Sequence, residues 1–124
     1  MERFVLDSTT KTPRIQFDGN IGKFEISGRS IPENSAKFYS PLMDWVEEYI
    51  QNPAEETLIN VKLEYFNTSS LKGLIELFRK FELLNNSGKA VKICWYYEEE
   101  DEDMQESGED FKQLIRIPIE LIKI

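Results

Sequence analysis

Apolar and polar residues alternate along several stretches of the chain, and apolar residues recur every three or four positions along others. Strict alternation is typical of a half-buried strand, whereas the longer spacing is typical of a helix with one apolar face. The alternating stretches predict strands over Arg14–Asp18, Lys23–Ser27, Thr57–Phe66, Ala90–Tyr97 and Ile117–Ile124. The helical spacing predicts a helix from Asn34 or Ser35 to about Gln51, a second carried by Leu71 to Leu84, and a short third one around Phe111–Ile115. No firm element is predicted for residues 1–13.

The order of these elements predicts an α/β fold with a small mixed β-sheet. Gly19, Asn20 and Gly22 separate the first two strands and indicate an N-terminal antiparallel hairpin. The later strand, helix and strand predict a right-handed βαβ crossover between parallel strands. Because strands covered on both faces tend to be continuously apolar and these alternate, the helices should lie mainly on one face. With 124 residues, of which 40% are hydrophobic, we expect a single domain over residues 1–124.

Prolines and a glycine refine the ends of these elements. Gly28 and Pro32 mark a turn before the first helix. Proline is tolerated only in the first turn of a helix, so Ser40 and Pro41 are expected to begin its regular part. Pro118 should confine the last strand to a sheet edge, because proline cannot donate a ladder hydrogen bond.

Apolar side chains are expected to form the interior of this fold. Trp45 and Trp95 are predicted as core or half-core aromatics, and Cys94 as an unreactive buried residue. The inner face of the third strand is predicted to carry Ile59, Val61, Leu63 and Tyr65.

The acidity of the chain comes from one segment. The formal net charge is −8, and nine of the thirteen residues from Glu98 to Asp110 are acidic while none is basic. Without those nine carboxylates the net charge of −8 becomes +1. Nucleic-acid backbones are bound by clustered Lys and Arg, so nucleic acid is not an expected partner. The sequence shows neither a membrane-spanning run nor a signal peptide, which favours the cytoplasm.

Three interpretations of the acidic segment, Glu98–Asp110, are open: a solvated loop and helix start, a patch that binds a partner, or a site for Mg²⁺ or Ca²⁺. The segment departs from the EF-hand calcium loop, because Glu106 stands where that loop needs glycine. The chain has no histidine and one cysteine, which excludes Ser-His and Cys-His catalysis and Cys/His metal sites. Of the three interpretations of the acidic segment, the solvated loop and helix start is the expected one, so neither a metal nor another cofactor is expected.

Hydroxyl side chains cluster where the third predicted strand gives way to the second helix, in the stretch YFNTSSLKG from Tyr65 to Gly73. Asn, Thr and Ser are preferred helix caps, so capping explains one or two of them. The first turn has no acidic residue although the helix dipole favours negative charge there, and the first charge is that of Lys72. A phosphate on one of the hydroxyls would supply the missing negative charge, and its addition and removal would make the domain a regulatory switch. Spacing does not select among Thr68, Ser69 and Ser70.

Long motifs of the chain resemble the SiaC family of bacterial regulatory phosphoproteins. The matching pieces are GRSIPEN (Gly28–Asn34), FYSPLMDWVEEYI (Phe38–Ile50), KLEYFNTSS (Lys62–Ser70) and WYYEEEDEDMQESGEDF (Trp95–Phe111). They occur in the family's order over nearly the whole chain, and the residues before Thr12 lie outside them.

The resemblance implies a domain similar to STAS-type anti-sigma-factor antagonists, with no catalytic activity of its own. It implies that Thr68 is phosphorylated by a SiaB-like kinase and dephosphorylated by a SiaA-like phosphatase of the PP2C type. The unphosphorylated form is then expected to bind and activate a diguanylate cyclase, raising cyclic di-GMP and affecting biofilm formation. Asn67, Ser69 and Ser70 are expected to shape the loop of the acceptor.

Two cations are candidates for the same partner-binding surface. Lys72 lies two residues after the last hydroxyl, and Arg29 in GRSIPEN is expected either to pair with a carboxylate or to bind the phosphate of Thr68. An alternative function is a constitutive scaffold that binds partners through an open sheet face or the acidic segment. The sequence itself fixes neither the direction of the switch nor the oligomeric state.

Overall fold

The computed structural model of this chain describes residues 2–124. These residues form six strands and three helices. In chain order they are β1 (Phe4–Leu6), β2 (Arg14–Asp18), β3 (Lys23–Ser30), α1 (Ser35–Tyr49), β4 (Glu56–Phe66), α2 (Thr68–Asn86), β5 (Ala90–Tyr97), α3 (Glu102–Leu114) and β6 (Ile119–Lys123).

All six strands belong to one mixed sheet whose spatial order follows the chain, from β1 to β6. The first three strands pair antiparallel, and β3 to β6 pair parallel. The predicted hairpin is confirmed, with Asp18 opposite Lys23. Its Gly22 has a φ of 70°, and a Cβ there would lie 2.1 Å from the carbonyl oxygen of Glu56, so only glycine fits this turn. The predicted crossover from β4 through α2 to the parallel strand β5 is present.

The helices cover one face of the sheet, as predicted. Phe24, Ile59 and Ile93 are cross-strand neighbours on that face, and all three are buried. They belong to a single apolar cluster that also contains residues from all three helices. On the opposite face their chain neighbours Glu25 and Asn60 are partly exposed. One sheet face therefore carries the core and the other faces solvent.

Helix α1 begins earlier than the proline predicts. Asn34 caps it by accepting a hydrogen bond from the Lys37 amide at 3.0 Å, which confirms the predicted start at Asn34 or Ser35. The expectation that the regular part begins only at Ser40 and Pro41 is wrong. Pro41 lies inside the helix and has no amide to donate to the preceding turn. Buried apolar residues on both sides of it keep the helix continuous, namely Tyr39, Leu42, Val46 and Tyr49.

A β-bulge in β4 reverses the predicted face of Tyr65. The register with β3 runs from Gly28 opposite Leu63 directly to Arg29 opposite Tyr65, which leaves Glu64 as an extra residue. Beyond a one-residue bulge the two faces exchange, so Tyr65 is 49% exposed rather than buried. Phe66 turns inward instead, with its ring centroid 6.2 Å from that of Trp95.

The acidic segment contributes most of α3, which is longer than the short helix predicted. Asp101 caps it by accepting from the Met104 amide at 3.0 Å. Glu102 and Asp103 occupy the first turn, where the helix dipole favours negative charge. Of the three interpretations of the acidic segment, a solvated loop and helix start is the one that matches the structure.

The bounds of other strands also differ from those that the sequence pattern predicts. Residues 4–6, left unassigned by sequence, pair with β2 as β1. Strand β3 continues to Ser30, through the turn expected at Gly28. Strand β6 lies at the sheet edge, as predicted, but it covers Ile119–Lys123 and so begins after Pro118 rather than at Ile117.

The predicted core aromatics and Cys94 lie where expected. Trp95 is fully buried and Trp45 half-buried, stacked on Tyr49 with 5.9 Å between ring centroids. Cys94 is buried, and this burial raises the pKa of its thiol. A raised pKa lowers the thiolate fraction, which agrees with an unreactive residue.

Candidate functional site

The stretch of hydroxyls forms the first turn of α2, directly after β4. Asn67 is the N-cap, with extended backbone (φ −88°, ψ 175°), and its side-chain oxygen accepts a hydrogen bond from the Ser70 amide at 2.9 Å. Thr68 is consequently the first helical residue. The first turn contains no acidic side chain, so nothing in the described sequence of α2 neutralises the positive end of the helix dipole there.

The three hydroxyls have different environments. Ser70 is fully buried and donates to the Ser30 carbonyl oxygen at 2.8 Å. Ser69 is exposed but donates to the Asn67 side chain at 3.1 Å and lies 2.7 Å from the Ser35 hydroxyl. Thr68 is exposed, and no group within residues 2–124 forms a hydrogen bond with its hydroxyl. Among the three hydroxyls of this turn, that of Thr68 is therefore both exposed and without a hydrogen-bond partner in residues 2–124.

A buried chain of hydroxyls fixes the start of α2 against its neighbours. The Ser30 hydroxyl donates to the Ser70 hydroxyl at 2.8 Å, and Ser70 donates onward to the Ser30 carbonyl. Ser30 has no second proton, so the Tyr39 hydroxyl, 2.7 Å away, must donate to Ser30. Burial raises the pKa of Tyr39, which keeps this donor protonated. The chain joins β3, α1 and α2 at the point where Thr68 is presented.

Helices α1 and α2 pack very closely beside this turn. A Cβ on Gly73 would lie 2.6 Å from the Tyr39 ring, so glycine is required for the observed spacing. Above the contact is a groove of about 600 Å³ that Ser35, Ser69 and Lys72 help to line. Lys72 is exposed and forms no ion pair with the residues that the structure describes.

Arg29 lies at the same end of the sheet, one residue before Ser30. Its guanidinium lies 5.6 Å from the centroid of the Tyr65 ring, and no carboxylate within residues 2–124 pairs with it. Of the two roles expected for Arg29, pairing with a carboxylate is absent among these residues, and binding the phosphate of Thr68 stays a prediction. Tyr65 is a surface residue of this region that sequence reasoning missed, because strict alternation cannot reveal a bulge.

Among residues 2–124, no three Cys, His, Asp or Glu side chains come together as a metal site would require. None of the helices in that range combines the length and apolar character needed to span a bilayer.

Comparison with known proteins identifies the family. A profile described as SiaC family regulatory phosphoprotein matches residues 6–124. The chain belongs to the SiaC family. The match begins before Thr12, so the SiaC homology includes residues that the sequence motifs left outside it.

Individual SiaC structures show the same fold. SiaC of Pseudomonas aeruginosa superposes with a TM-score of 0.91 at 27% identity, with 100% of both chains covered. A chain in the crystal structure of the diguanylate cyclase SiaD in complex with its activator SiaC, from that organism, gives 0.91 at 28% identity and covers 98% of this chain and 99% of its own. An uncharacterized protein of P. aeruginosa strain UCBPP-PA14 is 30% identical over 113 residues, which cover 91% of this chain and 90% of that protein.

Proposed function

We propose that this chain is a non-catalytic partner-switching protein of the cytoplasm that binds and activates a diguanylate cyclase when unphosphorylated. The cyclase is proposed because a structure described as SiaD with its activator SiaC contains a chain of the same fold, at 28% identity. The chain would thereby control cyclic di-GMP output without chemistry of its own. Membership of a regulatory phosphoprotein family supports the switch.

We further propose Thr68 as the phosphate acceptor. The observation that carries this proposal is the contrast within the first turn of α2: Ser69 and Ser70 are hydrogen-bonded to other side chains, while the Thr68 hydroxyl is exposed and uncommitted. A kinase needs a hydroxyl it can reach, and phosphorylating Thr68 breaks no hydrogen bond of the folded domain. SiaB-like and SiaA-like enzymes are the proposed kinase and PP2C-type phosphatase.

A phosphate at Thr68 would change the charge of this surface more than its shape. It adds about −1.5 to −2 charges beside backbone amides at the start of α2. Lys72 stands four residues on, the spacing of side-chain neighbours on a helix, and Arg29 is the other candidate cation. We propose that both cations, with Asn67 and Ser69, form the surface whose partner choice depends on the phosphate. Ser70, expected from the sequence to belong to this surface, is fully buried and instead holds the turn beneath it.

The acceptor is tested by intact-mass measurement after incubation with the SiaB-like kinase and ATP. Wild type should gain one phosphate, Thr68→Ala none, and the matched control Ser69→Ala one. Addition of the phosphatase should restore the original mass. Full phosphorylation of Thr68→Ala would reject the assignment.

The switch itself is tested by recovering the cyclase with both forms of the chain. We expect capture by the unphosphorylated form and loss of capture after phosphorylation. Equal recovery in both states would support the alternative, a constitutive scaffold that binds through the open sheet face or the acidic segment.

A further inference from the structure

The hydroxyl of Ser69 is exposed and directly follows that of Thr68, so exposure alone does not explain why a kinase would modify one and spare the other. Both side chains lie in the first turn of α2, and both are of a type that kinases phosphorylate. The feature that separates them is a contact between α2 and α1. This contact is made by Ser35, the first residue of α1.

The Ser69 hydroxyl is held by two hydrogen bonds. Its one proton is donated to the Asn67 side chain at 3.1 Å. The Ser35 hydroxyl lies 2.7 Å from the Ser69 oxygen, and because Ser69 has no second proton, Ser35 must be the donor of this bond. Ser69 is therefore held by the cap of its own helix on one side and by the neighbouring helix on the other.

Close packing of α1 and α2 fixes the position of Ser35. Tyr39 lies four residues after Ser35 on α1, and Gly73 lies four residues after Ser69 on α2, so the members of each pair share a helix face. The Tyr39 ring lies against Gly73, where a Cβ would be only 2.6 Å from it. Ser35 is itself buried. The Ser35 hydroxyl is thus held beside Ser69 by a tight helix–helix contact one turn away.

Phosphorylation of Ser69 would have to break up this arrangement. In the transfer, the hydroxyl oxygen bonds to the γ-phosphorus of ATP, the bond from that phosphorus to the departing ADP breaks, and the hydroxyl proton passes to a base of the kinase. Ser69 would have to withdraw its proton from Asn67 and turn its oxygen away from Ser35. Thr68 has neither constraint, because its hydroxyl forms no hydrogen bond within residues 2–124.

We propose that Ser35 determines the specificity of the switch, because its hydrogen bond to Ser69 withholds that hydroxyl from the kinase and confines the phosphate to Thr68. This inference rests on the proposed function. Ser35 is a positioning residue, since it acts through Ser69 and does not itself meet the phosphate donor. Helix α1 thereby takes part in the choice of acceptor, although Ser35 stands 34 residues before Ser69 in the chain.

The experiment locates the phosphate after incubation with the SiaB-like kinase and ATP, by intact mass and by fragmentation of the peptide that contains residues 68–70. Wild type and Thr68→Ser should each carry one phosphate at position 68, the second showing that the kinase accepts a serine. Thr68→Ala should stay unmodified. Thr68→Ala combined with Ser35→Ala should be phosphorylated at Ser69, at a rate at least about fivefold above that of Thr68→Ala alone, the factor that one ordinary hydrogen bond provides.

Two control chains keep the Ser35 hydroxyl. Thr68→Ala with Ser40→Ala removes an exposed hydroxyl that lines the groove between α1 and α2 and forms no hydrogen bond within residues 2–124. Thr68→Ala with Asn34→Ala removes the cap of α1 and so loosens the same helix start. Neither chain should be phosphorylated at Ser69. Circular dichroism spectra verify that every variant is folded.

The outcomes separate this inference from the proposed function. If the phosphate of wild type lies on a residue other than Thr68, the proposed acceptor is wrong. If it lies on Thr68 while Thr68→Ala with Ser35→Ala stays unmodified, the acceptor stands and the role of Ser35 is wrong.

Two further results would also overturn the role of Ser35. Equal phosphorylation of Ser69 in the chains that carry Ser35→Ala and Asn34→Ala would show that loosening of α1 is sufficient. Failure of the kinase to modify Thr68→Ser would show that it selects threonine without help from the fold.

Discussion

Replacing Ser70 by alanine should destabilise the domain strongly for so small a change. The buried Ser70 hydroxyl both accepts from the Ser30 hydroxyl and donates to the Ser30 carbonyl, each at 2.8 Å. Its removal leaves the Ser30 hydroxyl proton without its acceptor. The Ser30 carbonyl keeps one donor, the Asn67 amide at 3.1 Å.

The expected loss follows from these two bonds. A buried donor left unsatisfied costs about 1–3 kcal/mol, and a lost hydrogen bond whose partner stays satisfied costs about 0.5–1.5 kcal/mol. We therefore expect Ser70→Ala to lower the free energy of unfolding by about 1.5–4.5 kcal/mol, the sum of the two contributions. For a domain of this size, that corresponds to a fall in Tm of roughly 5–20 °C.

Urea unfolding followed by circular dichroism measures this loss directly. Ser69→Ala is the matched control, because Ser69 stands next to Ser70 but is exposed; its cost should not exceed about 1 kcal/mol. Tyr39→Phe combined with Ser70→Ala should cost less than the sum of the single changes, because both act on one hydrogen-bonded chain. Equal losses for Ser69→Ala and Ser70→Ala would refute the view that buried hydroxyls fix the start of α2.

Two further predictions concern the same region. Asn67→Ala removes the N-cap of α2 and should lower the free energy of unfolding by about 1 kcal/mol in the same urea assay. Asn34→Ala, which removes the N-cap of α1, should have a similar effect. If neither variant loses stability, the two asparagines do not stabilise the helices as caps. Burial raises the pKa of Tyr39 above its ordinary value of 10.0, so the unfolded chain loses this proton first, and the contribution of Tyr39 is complete below pH 10 and declines above it. Alkaline unfolding curves should thus show a smaller decline for Tyr39→Phe than for wild type, and identical slopes would contradict this assignment.

The fold could largely be predicted because its strands and helices carry strong periodic patterns. The hairpin, the parallel crossover and the one-sided placement of helices all follow from alternation and from short turns. Where the predicted position of a residue was wrong, the reason is a local feature of the backbone. A single inserted residue at Glu64 moves Tyr65 to the surface, and only pairing with β3 reveals it.

The helix ends were harder to predict because tertiary contacts override local preference. Pro41 would start a helix on propensity alone, yet the buried stripe of α1 and the cap at Asn34 extend the helix six residues earlier. The acidic segment was ambiguous because its local preferences allow more than one structure. Its carboxylates suit both a solvated loop and a helix start, and Met104 and Phe111, buried at helical spacing, resolve it as a helix.

The candidate site was predictable in position but not in detail. The sequence locates three hydroxyls and a capping asparagine at a strand-to-helix junction, and capping statistics cannot separate the hydroxyls. Their separation depends on Ser30 and Ser35, which lie more than thirty residues away in the chain. Hydrogen bonds between residues so far apart in the chain cannot be predicted from the local sequence pattern.

The central claim is that the phosphorylation state of Thr68 decides whether this chain binds its cyclase. Its most direct test is a calorimetric titration of a diguanylate cyclase with three samples: untreated wild type, wild type treated with kinase and ATP, and Thr68→Ala treated in the same way. We expect untreated wild type and treated Thr68→Ala to bind with equal affinity, and treated wild type to bind at least about tenfold more weakly, a difference of about 1.4 kcal/mol. Undiminished binding by treated wild type, or an equal loss in treated Thr68→Ala, would contradict the claim.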